Sequence, residues 1–276
     1  MKSDYNNYNS TKLSALTDIL RRFSPVAVAF SGGVDSTFLL KFAHGVLGKN
    51  VMAVTAAAPN FAPDEIAEAI NFCKDEKIHH LLIYLGEAFL DSFADNPENR
   101  CYICKKNIFG SLLAHPALAG MTLVDGTNAD DAVDFRPGER ALRELGVQSP
   151  LRDAGMSKDD VRTALKDMGL SMWNKPAFAC LASRIPYGEK ITEEKLNSIY
   201  SLEKLLKESG FSQVRVRHHG DTARIEVAPD ERVKFFNVDF MDKIDEAAKE
   251  AGFTYAALDL GGYRMGNMNP MERRNE

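Results

Sequence analysis

Only four cysteines occur among 276 residues: Cys73, Cys101, Cys104 and Cys180. That is too few for a disulfide scaffold, so metal-binding or reactive thiols in a cytoplasmic chain are expected instead. No run of about 18 apolar residues is present, which excludes a helical membrane span. The opening Met1-Lys2-Ser3-Asp4-Tyr5-Asn6-Asn7-Tyr8 is polar and lacks the apolar centre of a signal peptide. Positive charge is not in excess: 34 Lys and Arg stand against 39 Asp and Glu, a net charge of −5. A broad nucleic-acid-binding face is therefore not expected, although a local basic pocket fits that balance. Repeats and low-complexity segments are absent as well. What is present, 45% hydrophobic and 26% charged residues, suits a soluble globular protein with room for two domains.

The most informative stretch is Ser31-Gly32-Gly33-Val34-Asp35-Ser36. Before it stands the apolar Val26-Ala27-Val28-Ala29-Phe30, and after it Thr37 to Ala43 has helical spacing. The order is buried strand, glycine turn, helix. Two glycines let the backbone bend tightly and let an anion approach without a Cβ in the way. Turn N–H groups and the positive end of the helix dipole then face one concavity. No Gly-Lys-Ser/Thr follows, so this is not a Walker loop, and it is not GxGxxG. It resembles the pyrophosphate loop of enzymes that cleave ATP to AMP and pyrophosphate. A glycine-rich turn without a ligand is the plainer alternative.

Residues 1–10 are Asn-rich and expected as a loose lead-in, with Ser10 or Thr11 capping a helix to about Phe23. Val51–Ala56, Leu81–Leu85 and Met121–Val124 read as further strands, and Pro63–Lys77 and Ser157–Met168 as helices. Strands alternating with helices predict an α/β fold with a parallel sheet covered on both faces. Ligands then sit at strand carboxyl ends, where the glycine loop and Asp125-Gly126-Thr127-Asn128 both fall. Asp134–Gly138, Ser149–Leu151 and Trp173–Gly188 read as loops.

After Gly188 the pattern becomes helix (Thr192–Ser209), strand (Val214–His218), strand (Ala223–Val227), helix (Asp230–Ala251), strand (Phe253–Leu260). That suggests a small α+β domain. The expected division is an ATP-binding domain over residues 1–180 and a substrate-binding domain over 181–276. Arg215 and Arg217 share a strand face with Glu226 close by, an anion-binding pattern or a solvated face with salt bridges. His218 and His219 are expected at a turn or on the surface. Cys101-Tyr102-Ile103-Cys104 is a CxxC: a redox pair, half a zinc site or part of an iron–sulfur site. Three thiolates, with Cys180 as the third, suffice for a 4Fe–4S cluster with one open iron. Cys73 among Ala69, Ile70 and Phe72 reads as a buried hydrophobe.

Ser31–Ser36, Asp134–Gly138, Asn174-Lys175-Pro176, Cys180, Ser183–Gly188, Val214–Arg217 and Leu258-Asp259-Leu260-Gly261-Gly262-Tyr263-Arg264 together resemble the ATP-dependent sulfur transferases of lactate racemase maturation. Those are the E proteins of nickel-pincer nucleotide biosynthesis, within the pyrophosphatase-loop ATPases. The family adenylates a carboxylate of pyridinium-3,5-biscarboxylic acid mononucleotide and converts it to a thiocarboxylate. One branch sacrifices a cysteine at the position of Cys180 and lacks the CxxC. This chain resembles the second branch, in which three cysteines hold a 4Fe–4S cluster carrying an extra sulfide.

The resemblance implies that Ser31, Gly32, Gly33, Asp35 and Ser36 hold the ATP phosphates, with Mg²⁺ at Asp35, while Ala56, Gly126 and Thr127 border the nucleotide. It implies Cys101, Cys104 and Cys180 as cluster ligands. Ser183, Arg184, Glu203, Arg215, Arg217, Glu226 and Arg264 would line the substrate's phosphate and carboxylates. It also implies a homo-oligomer. Competing readings are a tRNA-thiolating enzyme of the same fold, an ammonia-using ligase of the NAD-synthetase kind with structural zinc, and a nucleotide sensor without catalysis.

Overall fold

The computed structural model describes residues 2–133, 137–175, 179–264 and 268. Asp134, Phe135 and Arg136 of one quoted motif, and Pro176 of another, lie outside the described residues, as do Ala177 and Phe178. The chain divides into two compact units, residues 1–92 with 99–178, and residues 93–98 with 179–276.

The first unit opens with α1 (Lys2–Phe23), β1 (Val26–Ala29), α2 (Val34–Leu47), β2 (Val51–Ala57), α3 (Pro63–Asp75) and β3 (His80–Tyr84). It continues with α4 (Glu87–Asp91), α5 (Arg100–Leu113), β4 (Thr122–Val124), α6 (Pro137–Glu144), α7 (Pro150–Asp153) and α8 (Lys158–Asp167). Helix α1 begins before the cap expected at Ser10 or Thr11, since no glycine or proline interrupts Lys2 to Phe23. The strands form one parallel sheet in the order β3-β2-β1-β4. Gln148 adds a parallel bridge to Val124 at its edge. Leu16 and Leu20 of α1, Phe38, Leu39 and Leu40 of α2, and Val161 and Leu165 of α8 join Val26, Val28 and Val124 in a buried core. That packing fixes β1 and α2 end to end, and the glycine turn between them has little freedom. Pro150 and Leu151, expected in a loop, open the short α7, with Ser149 just before it and Pro150 in its first turn.

In the second unit α9 (Glu193–Glu208) is capped by Thr192, whose hydroxyl accepts from Lys195 N at 3.3 Å. Strands β5 (Val214–His219) and β6 (Thr222–Val227) pair antiparallel, and β7 (Tyr255–Leu258) pairs parallel to β6. The expected helix over Asp230–Ala251 is two pieces: a 3₁₀ segment Glu231–Phe235, then α10 (Val238–Glu250). Asn237 separates them, because its side chain accepts from Phe240 N at 3.0 Å and so starts a new helix. The short 93–98 segment is tied into this unit by Asn96, whose amide donates to the carbonyls of Ile185 and Pro186 at 3.2 and 2.7 Å.

Candidate nucleotide and anion sites

In the first unit, β1 delivers the chain to Ser31 and α2 starts at Val34. Gly32 has φ +70°, a conformation that costs glycine nothing, and a Cβ there would meet Ala69 and Glu65 of α3 at 3.6 Å. Ser31 and Ser36 face each other with hydroxyls 3.2 Å apart, and Ser31 N and Gly33 N donate to these hydroxyls at 3.4 Å. Bonds of that length are weak and easily exchanged for a better acceptor. The residue preceding α2, Gly33, has no side chain to cap it, so the first N–H groups lack the usual hydroxyl or carboxylate partner. The arrangement can hold a phosphate group at the positive end of α2.

The turn after β4 closes on the same helix start. A Cβ on Gly126 would lie 2.9 Å from Ser36 N and 3.2 Å from Asp35 C, so only glycine allows this approach. Asp125 anchors the turn, accepting from Thr127 Oγ1 and, at 2.7 Å, from Ser149 Oγ. Asn128 Oδ1 accepts from the N–H groups of Asp130 and Asp131 at 3.0 and 3.2 Å. Burial raises the Asp35 carboxyl above its ordinary pKa; the Asn128 side chain opposes this and the nearby Asp131 carboxylate adds to it. Lys158, which pairs with Asp131 at 3.1 Å, and Arg162 bring positive charge to the same carboxyl and oppose the rise. Ala56 is half-buried near the carboxyl end of β2.

The CxxC lies in the first two turns of α5, with Cys101 exposed and Cys104 half-buried. Asn60, fully buried in the turn after β2, donates to Cys104 Sγ at 3.9 Å. Thus Cys104 neighbours the carboxyl end of β2, the strand paired with β1. Burial pushes the Cys73 thiol up to about 12, which makes it inert beside the accessible Cys101 and Cys104. Among the described residues, no group of three or more His, Cys, Asp or Glu side chains is gathered as for a metal ion.

In the second unit, Cys180 is half-buried and precedes the 3₁₀ turn Leu181–Arg184. Arg184 binds Glu203 through Nε and Nη2 at 2.8 and 3.0 Å, with side chains only 4% and 3% exposed. Its Nη1 donates to the carbonyls of Ala179 and Cys180 and to Ser183 Oγ. Arg217 donates to Glu226 Oε2 at 2.8 Å and to the Ser183 carbonyl at 3.3 Å. Arg224 reaches Glu226 at 3.2 Å and Asp259 at 2.6 Å. Arg215 lies over the Tyr263 ring at 5.2 Å; burial and then the charges of Arg184 and Arg217 lower its pKa, against Glu203 and Tyr263. Cationic crowding of that kind is relieved by an anionic ligand.

Ser183, Arg184, Glu203, Arg215, Arg217 and Glu226 thus form one linked cluster. Arg264 is exposed, with its Nη2 2.6 Å from where a Cβ of Gly261 would be. His218 corrects the expectation of a surface residue: it is buried, its ring 5.0 Å from Phe253, because β5 is covered along its length up to His219. The sequence placed Asn128 in the strand-end turn but did not single out Arg224, Asp131 or Asn60. Arg224 had a signal, since it alternates with Glu226 just as Arg215 alternates with Arg217.

The chain is 39% identical over 260 residues to an uncharacterised protein of Synechocystis sp., covering 94% of this chain and 97% of that one. It is 38% identical over 265 residues to the pyridinium-3,5-bisthiocarboxylic acid mononucleotide synthase of Lactiplantibacillus plantarum, covering 94% of each. A weaker similarity, 25% over 197 residues, relates 65% of the chain to 62% of a glutamine-hydrolyzing GMP synthase chain of Thermoplasma volcanium. The parallel α/β sheet and this last relative fit the pyrophosphatase-loop fold. No protein-family model matches the chain.

Proposed function

The chain belongs to the family of pyridinium-3,5-bisthiocarboxylic acid mononucleotide synthases, and on that premise we propose that it inserts sulfur into pyridinium-3,5-biscarboxylic acid mononucleotide at the expense of ATP. The observation that carries the reading is the glycine turn at the uncapped start of α2, closed by Gly126.

In this reading Ser31, Gly32, Gly33 and Ser36 hold the β- and γ-phosphates, and Asp35 holds Mg²⁺. Ala56, Gly126 and Thr127 border the nucleoside. A substrate carboxylate oxygen attacks the α-phosphorus, the bond to the β-phosphate oxygen breaks, and pyrophosphate leaves. The acyl adenylate has what the carboxylate lacks, a good leaving group. The thiols of Cys101, Cys104 and Cys180 would be the donor set for a 4Fe–4S cluster, which when bound would supply the sulfide that replaces the oxygen. Arg184, Arg215 and Arg217 hold the substrate's phosphate and carboxylates, and their charge favours the oxyanion that forms at the carbonyl. Glu203, Glu226 and Ser183 keep those guanidinium groups in position, and Arg264 meets the substrate from the exposed side. The reading includes a homo-oligomer, which the exposed apolar side chains Val233, Phe236 and Val238 favour.

The test is pyrophosphate release by anaerobically prepared protein given ATP and the biscarboxylate mononucleotide. Asp35→Ala and Ser36→Ala should each reduce it by at least about tenfold, the loss of one charge-stabilising contact. Undiminished release in both variants would contradict the assignment.

A further inference from the structure

Lys175 has no part in the roles above. Its ammonium donates to the carbonyl oxygen of Gly32 at 3.2 Å and pairs with Glu68 of α3 at 2.5 Å. The lysine side chain is 15% exposed and that of Glu68 55%, so the cation is enclosed and its carboxylate partner is mostly in solvent. The backbone that carries it is pinned by Arg162 of α8, which donates to the carbonyls of Trp173 and Lys175.

In a trans peptide the C=O and the following N–H point in opposite directions. A cation on the Gly32 carbonyl therefore sets the Gly33 N–H on the opposite side, where it meets Ser31 Oγ. A peptide between two glycines meets little steric resistance to turning over. A charge-assisted bond is about twice as strong as a neutral one, so it can hold the peptide in one orientation. It also polarises the amide, which strengthens the N–H as a donor.

We propose that Lys175 is a positioning residue of the anion cradle, fixing the Gly32–Gly33 peptide so that the Gly33 N–H is presented to the terminal phosphates of ATP. This rests on the reading of Ser31–Ser36 as the ATP loop.

The experiment is calorimetric titration of the full chain with pyrophosphate, ATP and AMP. Lys175→Met should weaken pyrophosphate and ATP by about tenfold or more, the scale of one charge-assisted hydrogen bond. AMP, which lacks the β- and γ-phosphates, should stay within about twofold of wild type, a split that general damage to the fold would not produce. Lys175→Arg keeps a cation and should recover most of the affinity. Glu68→Gln removes only the outer partner and should leave ATP within about twofold. The proposal is overturned if Lys175→Met binds ATP normally, if AMP weakens in parallel, if arginine fails to rescue, or if Glu68→Gln reproduces the loss. Ser36→Ala separates the two levels. If Ser36→Ala weakens pyrophosphate and Lys175→Met does not, the lysine proposal alone falls. If Ser36→Ala also leaves pyrophosphate binding intact, the loop assignment falls and takes the lysine with it.

Discussion

Arg184 and Glu203 are nineteen positions apart and almost wholly buried, and each is the other's main compensation for leaving water. Removing one partner strands the other charge, which costs about 3–5 kcal/mol. Arg184→Met should lose that much stability in urea unfolding, and Arg184→Met with Glu203→Leu should recover part of it. Burial alone would raise the Glu203 pKa, but the Arg184 charge and bonds from Arg184 and Val216 N outweigh it and hold the carboxyl below its ordinary 4.5. The unfolded chain then takes up the proton first as pH falls. The pair's stability is complete above about 4.5 and is lost as pH drops through the lower folded-state value. Glu203→Gln should therefore flatten the acid limb of a stability–pH profile; an unchanged slope would show that other carboxylates set it. Arg217 pairs with Glu226 in the second unit, so Arg217→Ala should weaken the mononucleotide substrate and leave ATP affinity within about twofold. Loss of ATP binding with normal substrate affinity would reverse that assignment. The alternation of Arg215 and Arg217 was legible because a strand has period two. The partner of Arg184 was not, because it comes from another element.

Elements with local signals were the ones read correctly. The Ser157 capping box at α8 is present, with Ser157 Oγ accepting from Asp160 N at 3.2 Å and Asp160 accepting from Ser157 N at 2.8 Å. The strands fall within a residue or two of their apolar runs. Helices α5 and α6 escaped for a physical reason. The buried apolar residues of α5, Ile108, Phe109 and Leu112, all lie in its second half, so the CxxC turns show no period. Helix α6 buries Ala141 and Leu142, and at its surface Tyr102 and Lys106 of α5 both donate to Glu144, whose carboxyl they and Arg140 hold down at about 2. The site divides the same way. The glycine loop was legible because its chemistry is contiguous, whereas Lys175 on Gly32 and Asn60 on Cys104 are tertiary contacts. Two glycines test the close approaches. Gly126→Ala forces a Cβ against backbone at Ser36 and should cost about 1–3 kcal/mol in thermal or urea unfolding, with weakened ATP binding. Gly138→Ala meets only the flexible end of Lys105 and should stay within about 0.5 kcal/mol. Equal effects would contradict the geometry at the β4 turn.

For the whole molecule, similarity covering 94% of the chain and of a named synthase makes the two units parts of one enzyme. Among the described residues no helix is long and apolar enough to cross a membrane. On the proposed mechanism Cys101, Cys104 and Cys180 serve a cluster and the polypeptide survives each turnover. The CxxC of α5 would then have a task, and Cys180 would keep its sulfur. The direct measurement is the intact mass of the polypeptide before and after anaerobic conversion of several equivalents of the biscarboxylate mononucleotide. The account predicts an unchanged mass while thiocarboxylate product accumulates beyond one equivalent per chain. A loss of one H₂S at Cys180, in step with product and stopping at one sulfur per chain, would contradict it.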